Sequence, residues 1–264
     1  MLKSIKYQSK EISYYDEGKG RSIILLHGFA EDHFIWNRQV DFFKNKCRLI
    51  VPDLPGSGLS EILKDMSIEG MAACIIQLIS ETCTPKDLPY LIGHSMGGYI
   101  ALAVAEKNPG RLAGLGLFHS TAYPDSPEKK IGRNKSIEFI RQHGSDPFIR
   151  QSIPNLFSES SKKYDSDIIE TLIRRFGGFS PESLVSYYEA MIKRPDRTSV
   201  LKHFPGPVLF VIGAQDAAIP ADDILKQCHL PSISHIHIFE NTAHMGMLEN
   251  TTRSDVVLEE FVNA

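Results

Sequence analysis

LPYLIGHSMGGYIALAVAEKNPG, residues 88–110, is the stretch from which the fold can be inferred. It begins with a short apolar run typical of a buried strand and continues as a helix-like segment that ends at Pro109. Ser95 lies between the two, with Gly93 two residues before it and Gly97 two residues after it. Because these glycines leave room for a sharp strand-to-helix turn, the pattern predicts a serine nucleophile at the N-terminus of a helix. A G-x-S-x-G match is weak alone, and the flanking strand and helix make this one specific.

Apolar runs of strand length recur along the chain and alternate with helix-like segments. The predicted strands cover residues 22–27, 47–53, 88–93, 112–119, 207–213 and 233–239. The predicted helices cover residues 33–44, 67–82, 97–108, 221–228 and 251–262. This alternation predicts a mostly parallel sheet with helices on both faces. The segments that begin at Ile5 and Ile12 predict an antiparallel pair of strands in front of it.

Residues 121–198 interrupt the alternation and contain no strand-like run. Helix starts recur there, each with an N-cap residue before a proline that suits the first helical position: Ser126, Asp146 and Ser180. The sequence therefore predicts a helical insertion at 121–198 within an α/β core formed by residues 1–120 and 199–264.

A serine nucleophile needs a histidine base and a carboxylate that orients the histidine. Asp216 follows the predicted strand 207–213, and His244 follows the predicted strand 233–239. The order Ser…Asp…His is expected for this kind of turn, and all three residues follow carboxyl ends of strands, where open α/β sheets bind ligands. The alternative for Asp216 is a turn or helix-cap residue, and for His244 an ordinary loop histidine. We predict Ser95, Asp216 and His244 as the catalytic residues.

Acyl transfer also needs fixed N–H donors for the negative charge that develops on the carbonyl oxygen. The residue after the nucleophile, Met96, is expected to supply one donor through its backbone N–H. The loop after the first predicted parallel strand reads His27-Gly28-Phe29, which matches the loop that supplies the second donor. We therefore predict an oxyanion hole formed by the N–H groups of Phe29 and Met96, with Gly28 allowing close approach of the backbone.

Composition and short motifs argue against several other classes of protein. The 264 residues carry 29 Lys+Arg and 32 Asp+Glu, and this balance argues against a nucleic-acid or membrane-surface partner. The four cysteines lack metal-type spacing and His235 and His237 have no third ligand beside them, so no metal is expected. Neither a complete G-x-G-x-x-G nor a P-loop is present, so no cofactor is expected. The cysteine usage and the polar N-terminus predict a cytoplasmic protein.

Five motifs together resemble the α/β-hydrolase superfamily in its capped serine hydrolase branch: HGF (27–29), DLPGSGLS (53–60), GHSMGG (93–98), GAQD (213–216) and NTAHM (241–245). The resemblance covers essentially the whole chain. It implies the α/β-hydrolase fold, with a mostly parallel eight-stranded sheet and a helical cap at 121–198 that covers the active site as a lid. Serine at position 95 excludes the haloalkane dehalogenase and epoxide hydrolase pattern, which has aspartate there. The motifs are similar to those of carboxylesterases, pimeloyl-carrier methyl esterases, enol-lactonases, cofactor-free haloperoxidases and carbon–carbon bond hydrolases.

The leading hypothesis is a serine hydrolase that cleaves a small carboxylic ester, thioester or lactone through an acyl-enzyme intermediate. Two alternatives stay open. One is a carbon–carbon bond hydrolase that uses the same triad, and the other is a ligand receptor with a slow or vestigial triad. The expected partner is a small-molecule ester-type substrate, and the sequence specifies no oligomeric state.

Overall fold

One sheet of eight strands runs through the computed structural model, which describes all 264 residues. In chain order the strands are β1 (Leu2–Tyr7), β2 (Lys10–Gly18), β3 (Ser22–Leu26), β4 (Arg48–Pro52), β5 (Tyr90–His94), β6 (Gly114–Phe118), β7 (Val208–Gly213) and β8 (Ser234–Phe239). Their order in the sheet is β1-β2-β4-β3-β5-β6-β7-β8. β2 pairs antiparallel with β1 and β4, and all other neighbours are parallel. The predicted mostly parallel sheet with an antiparallel N-terminal pair is confirmed.

Twelve α-helices accompany the sheet. They are α1 (Asn37–Phe43), α2 (Ile68–Thr82), α3 (Met96–Lys107), α4 (Pro127–His143), α5 (Ser145–Ser152), α6 (Glu159–Tyr164), α7 (Ser166–Phe176), α8 (Pro181–Lys193), α9 (Thr198–His203), α10 (Ala221–Leu225), α11 (Gly246–Glu249) and α12 (Thr251–Asn263). Short 3-10 helices lie at His33–Trp36, Pro109–Arg111 and Ile153–Leu156. None of the helices combines the length and the apolar composition that a membrane crossing requires.

The central strands are buried on both faces, which explains their continuous apolar sequence. Ile24 and Leu26 of β3 pack into one apolar core together with α2 and α3. Ile23 and Leu25, which point to the opposite face, pack into a second core together with α1 and α12. Each face of the sheet therefore holds its own layer of helices.

The parallel register brings the residues that follow several strands to one edge of the sheet. His94 at the end of β5 is aligned with Phe118 at the end of β6. Phe118 is aligned with Val211, near the end of β7, and Gly213 at the end of β7 is aligned with Phe239 at the end of β8. The loops after β5, β7 and β8 consequently start side by side.

The predicted helix over residues 33–44 is wrong in one respect, because two short helices share the segment. The 3-10 helix His33–Trp36 begins after Asp32, whose side chain accepts the N–H of Phe34, and α1 follows it directly. The side-chain cap at Asp32 fixes the start of the segment, whereas the tighter first turn has no signature in the hydrophobic pattern.

All the residues between β6 and β7 that form regular structure are helical, from α4 to α9. The predicted caps at Ser126 and Ser180 are confirmed, since each hydroxyl accepts a backbone N–H three residues later. The predicted cap at Asp146 is wrong. α5 already begins at Ser145, after Gly144 in a left-handed conformation with φ +82°, and Asp146 lies in the first helical turn, where a carboxylate is also favourable.

A buried ion cluster joins the start of this helical segment to α3. The carboxylate of Asp125 accepts from Nε of Arg133 at 2.6 Å and lies 2.8 Å from Nη1 of Arg194. The guanidinium of Arg194 is stacked on the ring of Tyr99 in α3, 3.9 Å from its centroid. Removing the carboxylate would leave two cations without their counter-charge in an apolar environment.

Replacement of Asp125 by Asn is expected to reduce the free energy of unfolding by about 3–5 kcal/mol, because breaking a buried pair leaves uncompensated charge. Urea denaturation followed by circular dichroism measures this change. Asp146→Asn is the matched control, because Asp146 and Arg150 form an exposed pair on α5, and such pairs contribute less than about 1 kcal/mol. Equal effects of the two substitutions would contradict the interpretation.

Candidate active site

Ser95 connects β5 to α3 through a strained backbone conformation, with φ 50° and ψ −116°. The turn is possible because Gly93 and Gly97, two residues before and two after Ser95, lack side chains. A Cβ on Gly93 would lie 2.2 Å from the carbonyl oxygen of Gly97, and a Cβ on Gly97 would lie 2.5 Å from the carbonyl oxygen of His27. The two glycines are therefore required by close backbone packing, and the turn holds Ser95 at the N-terminal end of α3.

Asp216 and His244, predicted from separate motifs, are in direct contact. Nδ1 of His244 donates to Oδ2 of Asp216 at 2.7 Å. The other oxygen of Asp216 accepts the backbone N–H groups of Ala218 and Ile219, both at 2.9 Å. Asp216 is thus a turn residue as well as the partner of His244, and its catalytic role stays a prediction.

Charge pairing sets the protonation of this contact. Burial opposes ionisation of Asp216, but the attraction of His244 and its hydrogen bond outweigh burial and hold the pKa of the carboxyl well below its usual range. Burial likewise opposes protonation of His244, but the Asp216 carboxylate outweighs it and raises the pKa of the imidazole above its ordinary value. His119 lies 3.6 Å from Asp216, beyond hydrogen-bonding distance, and burial lowers its pKa to about 4. His119 is therefore neutral at ordinary pH.

Ser95 and His244 share one edge of the sheet, but no hydrogen bond joins their side chains in this structure. Their segments are connected through His94, whose Nε2 donates to the backbone carbonyl of His244 at 3.0 Å. The rings of His94 and His244 have centroids 4.8 Å apart. Contacts between a nucleophile and its base are often loose without substrate and tighten when it binds.

The loop after β3 lies against Ser95, as a Cβ on Gly28 would come within 3.1 Å of the Cβ of Ser95. The Gly28–Phe29 peptide is held by His27, whose Nδ1 donates to the carbonyl of Gly28 at 2.8 Å. Leu54 N–H in turn donates to Nε2 of His27. The Phe29 N–H has no acceptor in the protein. Because the Gly28–Phe29 peptide is planar and trans, this N–H points away from the Gly28 carbonyl that His27 binds.

Met96 supplies a second unpaired donor. It is the first residue of α3, where backbone N–H groups have no acceptor within the helix. The two predicted donors therefore lie close to Ser95. Phe29 is in the loop after β3 that packs against Ser95, and Met96 is the residue that follows it.

Two carboxylates at this edge of the sheet, the buried Glu31 and the half-buried Glu249, are not predicted from the sequence. Glu31 accepts the N–H of Gly28 at 2.6 Å and contacts Nδ1 of His94 at 3.0 Å. Glu249 accepts the N–H groups of Ala243 and Met245, on either side of His244. Neither glutamate belongs to a recognisable motif. Their role at the site is visible only in the folded chain, where each accepts backbone N–H groups.

Glu249 also fastens the helical insertion to the loop that carries His244. Its second oxygen accepts the N–H of Ser158 at 2.8 Å and the hydroxyl of Ser161 at 2.9 Å. The backbone N–H of His244 itself donates to the carbonyl of Leu156 at 2.9 Å. The position of His244 thus depends on residues from the insertion.

An apolar cavity of about 90 Å³ lies between the insertion and the loop after β3. Its lining residues are Phe29, Ala30, Glu31, Ser152, Ile153, Leu156, Leu172, Phe176, Tyr188 and Met245. The ring of Tyr188 is stacked on that of Phe29, with centroids 4.2 Å apart. The cavity therefore adjoins a predicted oxyanion donor, Phe29, and the neighbour of His244, Met245.

One group of side chains has the composition of a cation site. Ligand atoms of Asp32, His33 and Asp53 lie within 4.8 Å of one another. The Asp32 carboxylate is paired with Arg175, and Asp53 accepts from both the backbone and Nδ1 of His33. Because these oxygens already have cationic or N–H partners, the group is explained by loop structure.

The sheet order, the helices on both faces and the serine on a strand-to-helix turn define the class of α/β hydrolases. Residues 23–259 match the model of the alpha/beta hydrolase family, and the chain belongs to that family. The family predicted from the five sequence motifs is confirmed, and so is the prediction that the protein is a hydrolase.

Individual relatives differ in the reaction that their names describe. The chain is 22% identical to a pimeloyl-(acyl-carrier protein) methyl ester esterase of Methylococcus capsulatus over 263 residues, covering 93% of this chain and 96% of that protein. It is 26% identical to a 2-hydroxy-6-oxononadienedioate/2-hydroxy-6-oxononatrienedioate hydrolase of Burkholderia vietnamiensis, covering 95% and 90%. A solved structure of a thermophilic esterase from Thermogutta terrifontis superposes with a TM-score of 0.90 at 30% identity, covering 100% of this chain and 98% of that one.

Proposed function

We propose that the protein is a serine hydrolase that cleaves small carboxylic esters through an acyl-enzyme intermediate on Ser95. The observation that carries the proposal is the hydrogen bond of 2.7 Å between His244 and the ionised Asp216, at the edge of the sheet where Ser95 begins α3. The similarity to proteins named esterases supports the choice of ester substrates.

In the proposed reaction Ser95 Oγ attacks the ester carbonyl while His244 accepts the serine proton through Nε2. Asp216 holds the tautomer of His244 that carries a proton on Nδ1, and it stabilises the imidazolium that forms. The N–H groups of Phe29 and Met96 stabilise the oxyanion. His244 then protonates the departing alkoxide, and a water activated by the same histidine releases the acid and restores Ser95.

We further propose that residues 121–198 act as a cap over this site, with residues 1–120 and 199–264 as the catalytic core. Tyr188 of the insertion covers the ring of Phe29, and Leu156 accepts the backbone N–H of His244. These contacts support a cap that completes the substrate site as well as shielding it. Closing water out of the site would strengthen the electrostatic contacts within it.

The apolar cavity supports a short, uncharged acyl group as the part of the substrate that enters under the cap. Its volume of about 90 Å³ has room for about three to six non-hydrogen atoms. Eight of its ten lining residues are hydrophobic, and the charged one, Glu31, is acidic. A chain that ends in a carboxylate would meet no cation there and would lose its hydration.

Carbon–carbon bond hydrolysis is the second candidate, because one relative is named as a hydrolase of a dienedioate. The same serine, histidine and aspartate would serve that reaction. The cavity contains no lysine or arginine to pair with a second carboxylate. Faster turnover of a ring-fission dienedioate than of p-nitrophenyl butyrate would make this candidate the correct one.

A cytoplasmic location is part of the proposal. The four cysteines are all unpaired and buried. Unpaired cysteines of this kind are typical of reducing compartments, where disulfides do not persist.

Ser95→Ala is expected to lower kcat for p-nitrophenyl butyrate by at least about 10⁴-fold, because no other group can form the acyl-enzyme. Steady-state kinetics measures the loss, and an unchanged melting temperature shows that the variant is folded. Ser160→Ala, at an exposed serine of the insertion, should retain the activity of the parent protein. Full activity of the Ser95 variant would exclude the proposed nucleophile.

The pH profile of kcat/KM should report the pKa of His244. Only neutral His244 can accept the serine proton, so the rate should fall as pH decreases through a pKa above 6.5, its ordinary value. Asp216→Asn should move this acidic limb to lower pH, because the imidazolium loses its anionic partner, and should lower the rate by about 10³–10⁴-fold. An acidic limb at the same pH in both proteins would show that Asp216 does not act on the titrating group.

A series of p-nitrophenyl esters tests the acyl cavity. We expect kcat/KM to rise by about fourfold per methylene, the equivalent of about 0.8 kcal/mol of burial, from acetate to butyrate or hexanoate. It should then fall for decanoate, which exceeds the cavity. Leu172→Ala, at a fully buried lining residue, should shift the optimum to longer chains, whereas Leu225→Ala, at an exposed residue of α10, should not. A maximum at decanoate in the parent protein would contradict the assignment of this cavity.

A further inference from the structure

Glu31 and His94 form a buried contact beside the predicted triad, and neither belongs to it. Oε2 of Glu31 lies 3.0 Å from Nδ1 of His94 and also accepts the N–H of Gly28 at 2.6 Å. The second ring nitrogen of His94, Nε2, lies 3.0 Å from the backbone carbonyl oxygen of His244. Both side chains are almost completely inaccessible to solvent. The contact therefore connects the loop after β3, the end of β5 and the loop that carries His244.

The hydrogen-bond partners determine where protons must lie. A backbone carbonyl only accepts, so Nε2 of His94 must carry a proton. Oε2 of Glu31 also accepts the Gly28 N–H, as an ionised carboxylate does, and although burial would raise the pKa of Glu31, its contacts with His94 and Gly28 lower it. An ionised carboxylate also only accepts, so Nδ1 of His94 must carry a proton as well.

We propose that Glu31 and His94 form a buried carboxylate–imidazolium pair that positions the oxyanion donor of Phe29 relative to Ser95 and His244. Glu31 fixes the N–H of Gly28, and the next peptide of the same loop presents the N–H of Phe29. His94 fixes the carbonyl of His244. Both are positioning residues, and this part of the inference rests on the proposed serine hydrolase function.

The surroundings leave Glu31 as the only anion that touches His94. The other ionisable groups near the His94 ring are His119 and His244, with centroids at 6.2 and 4.8 Å. Asp216 is directed toward His244 and His119. Because Glu31 balances the charge of His94, that charge does little to oppose the imidazolium that His244 becomes during the reaction.

The protonation of His94 can be measured without any substrate. Long-range ¹H–¹⁵N spectra of the whole protein at pH 7.5 separate imidazolium rings, in which both nitrogens are protonated, from neutral tautomers. The His94 signals are assigned by their loss in His94→Asn. We expect an imidazolium in the parent protein and a neutral ring protonated on Nε2 in Glu31→Gln. A neutral His94 in the parent protein would overturn the ion pair, whether or not Ser95 is the nucleophile.

Kinetics of two variants tests the positioning role. The amide of Glu31→Gln can keep only one of the two contacts with Gly28 and His94, because a single oxygen of Glu31 makes both, so we expect kcat to fall by less than in Glu31→Ala. Glu31→Ala removes both contacts, and a misplaced donor should lower kcat by about 10²-fold with little change in KM. Glu138→Gln, an exposed residue of α4, is the control and should leave both constants unchanged. An unchanged kcat in a folded Glu31→Ala protein would overturn the positioning role.

The two measurements separate this inference from the proposed function. If Ser95→Ala remained active while His94 proved to be an imidazolium, the ion pair would stand and the catalytic assignment would fail. If Ser95 proved essential while His94 was neutral, the ion pair would fail and the serine mechanism would stand.

Discussion

The left-handed backbone of Ser95 is the constraint on which the arrangement of the loops at the carboxyl ends of the strands depends. A non-glycine residue with φ 50° and ψ −116° costs of order 1–3 kcal/mol and persists only where the surrounding structure determines it. Here β5 is buried throughout, and α3 is buried along most of its length between the sheet and α2. The backbone of Gly93 at the end of β5 packs directly against that of Gly97 in α3, because neither residue has a side chain. The turn therefore cannot relax without separating a central strand from its helix.

Three carboxylates, buried at Asp216 and Glu31 and half-buried at Glu249, organise the loops around that turn. Asp216 fixes its own turn and His244, Glu249 joins the histidine loop to the insertion, and Glu31 joins the loop after β3 to His94. Each accepts N–H groups, so no buried negative charge is left without partners. Hydrogen bonds in such a low-dielectric region are strong and geometrically specific. Donors held in this way need little reorganisation when charge develops on a substrate, which is the basis of the proposed catalysis.

Much of the fold follows from local sequence, whereas the supports of the site do not. The strands β3, β5, β6 and β7 are predictable as continuous apolar runs because both of their faces are buried. The helix caps at Ser126 and Ser180 are predictable because a capping hydroxyl acts within three residues. The contact between Asp216 and His244 followed from motif order and parallel register. Glu31 and Glu249 were missed, because they act on backbone groups from segments that only folding brings together.

Active-site labelling with a fluorophosphonate tests the central claim most directly. The probe reacts with a serine only when that serine is activated as a nucleophile. We predict one adduct per chain, located on Ser95 by peptide mass spectrometry, with loss of esterase activity in proportion to labelling. We also expect much slower labelling of His244→Gln. Esterase activity that survives complete labelling of Ser95, or an adduct on a different residue that abolishes activity, would contradict the claim.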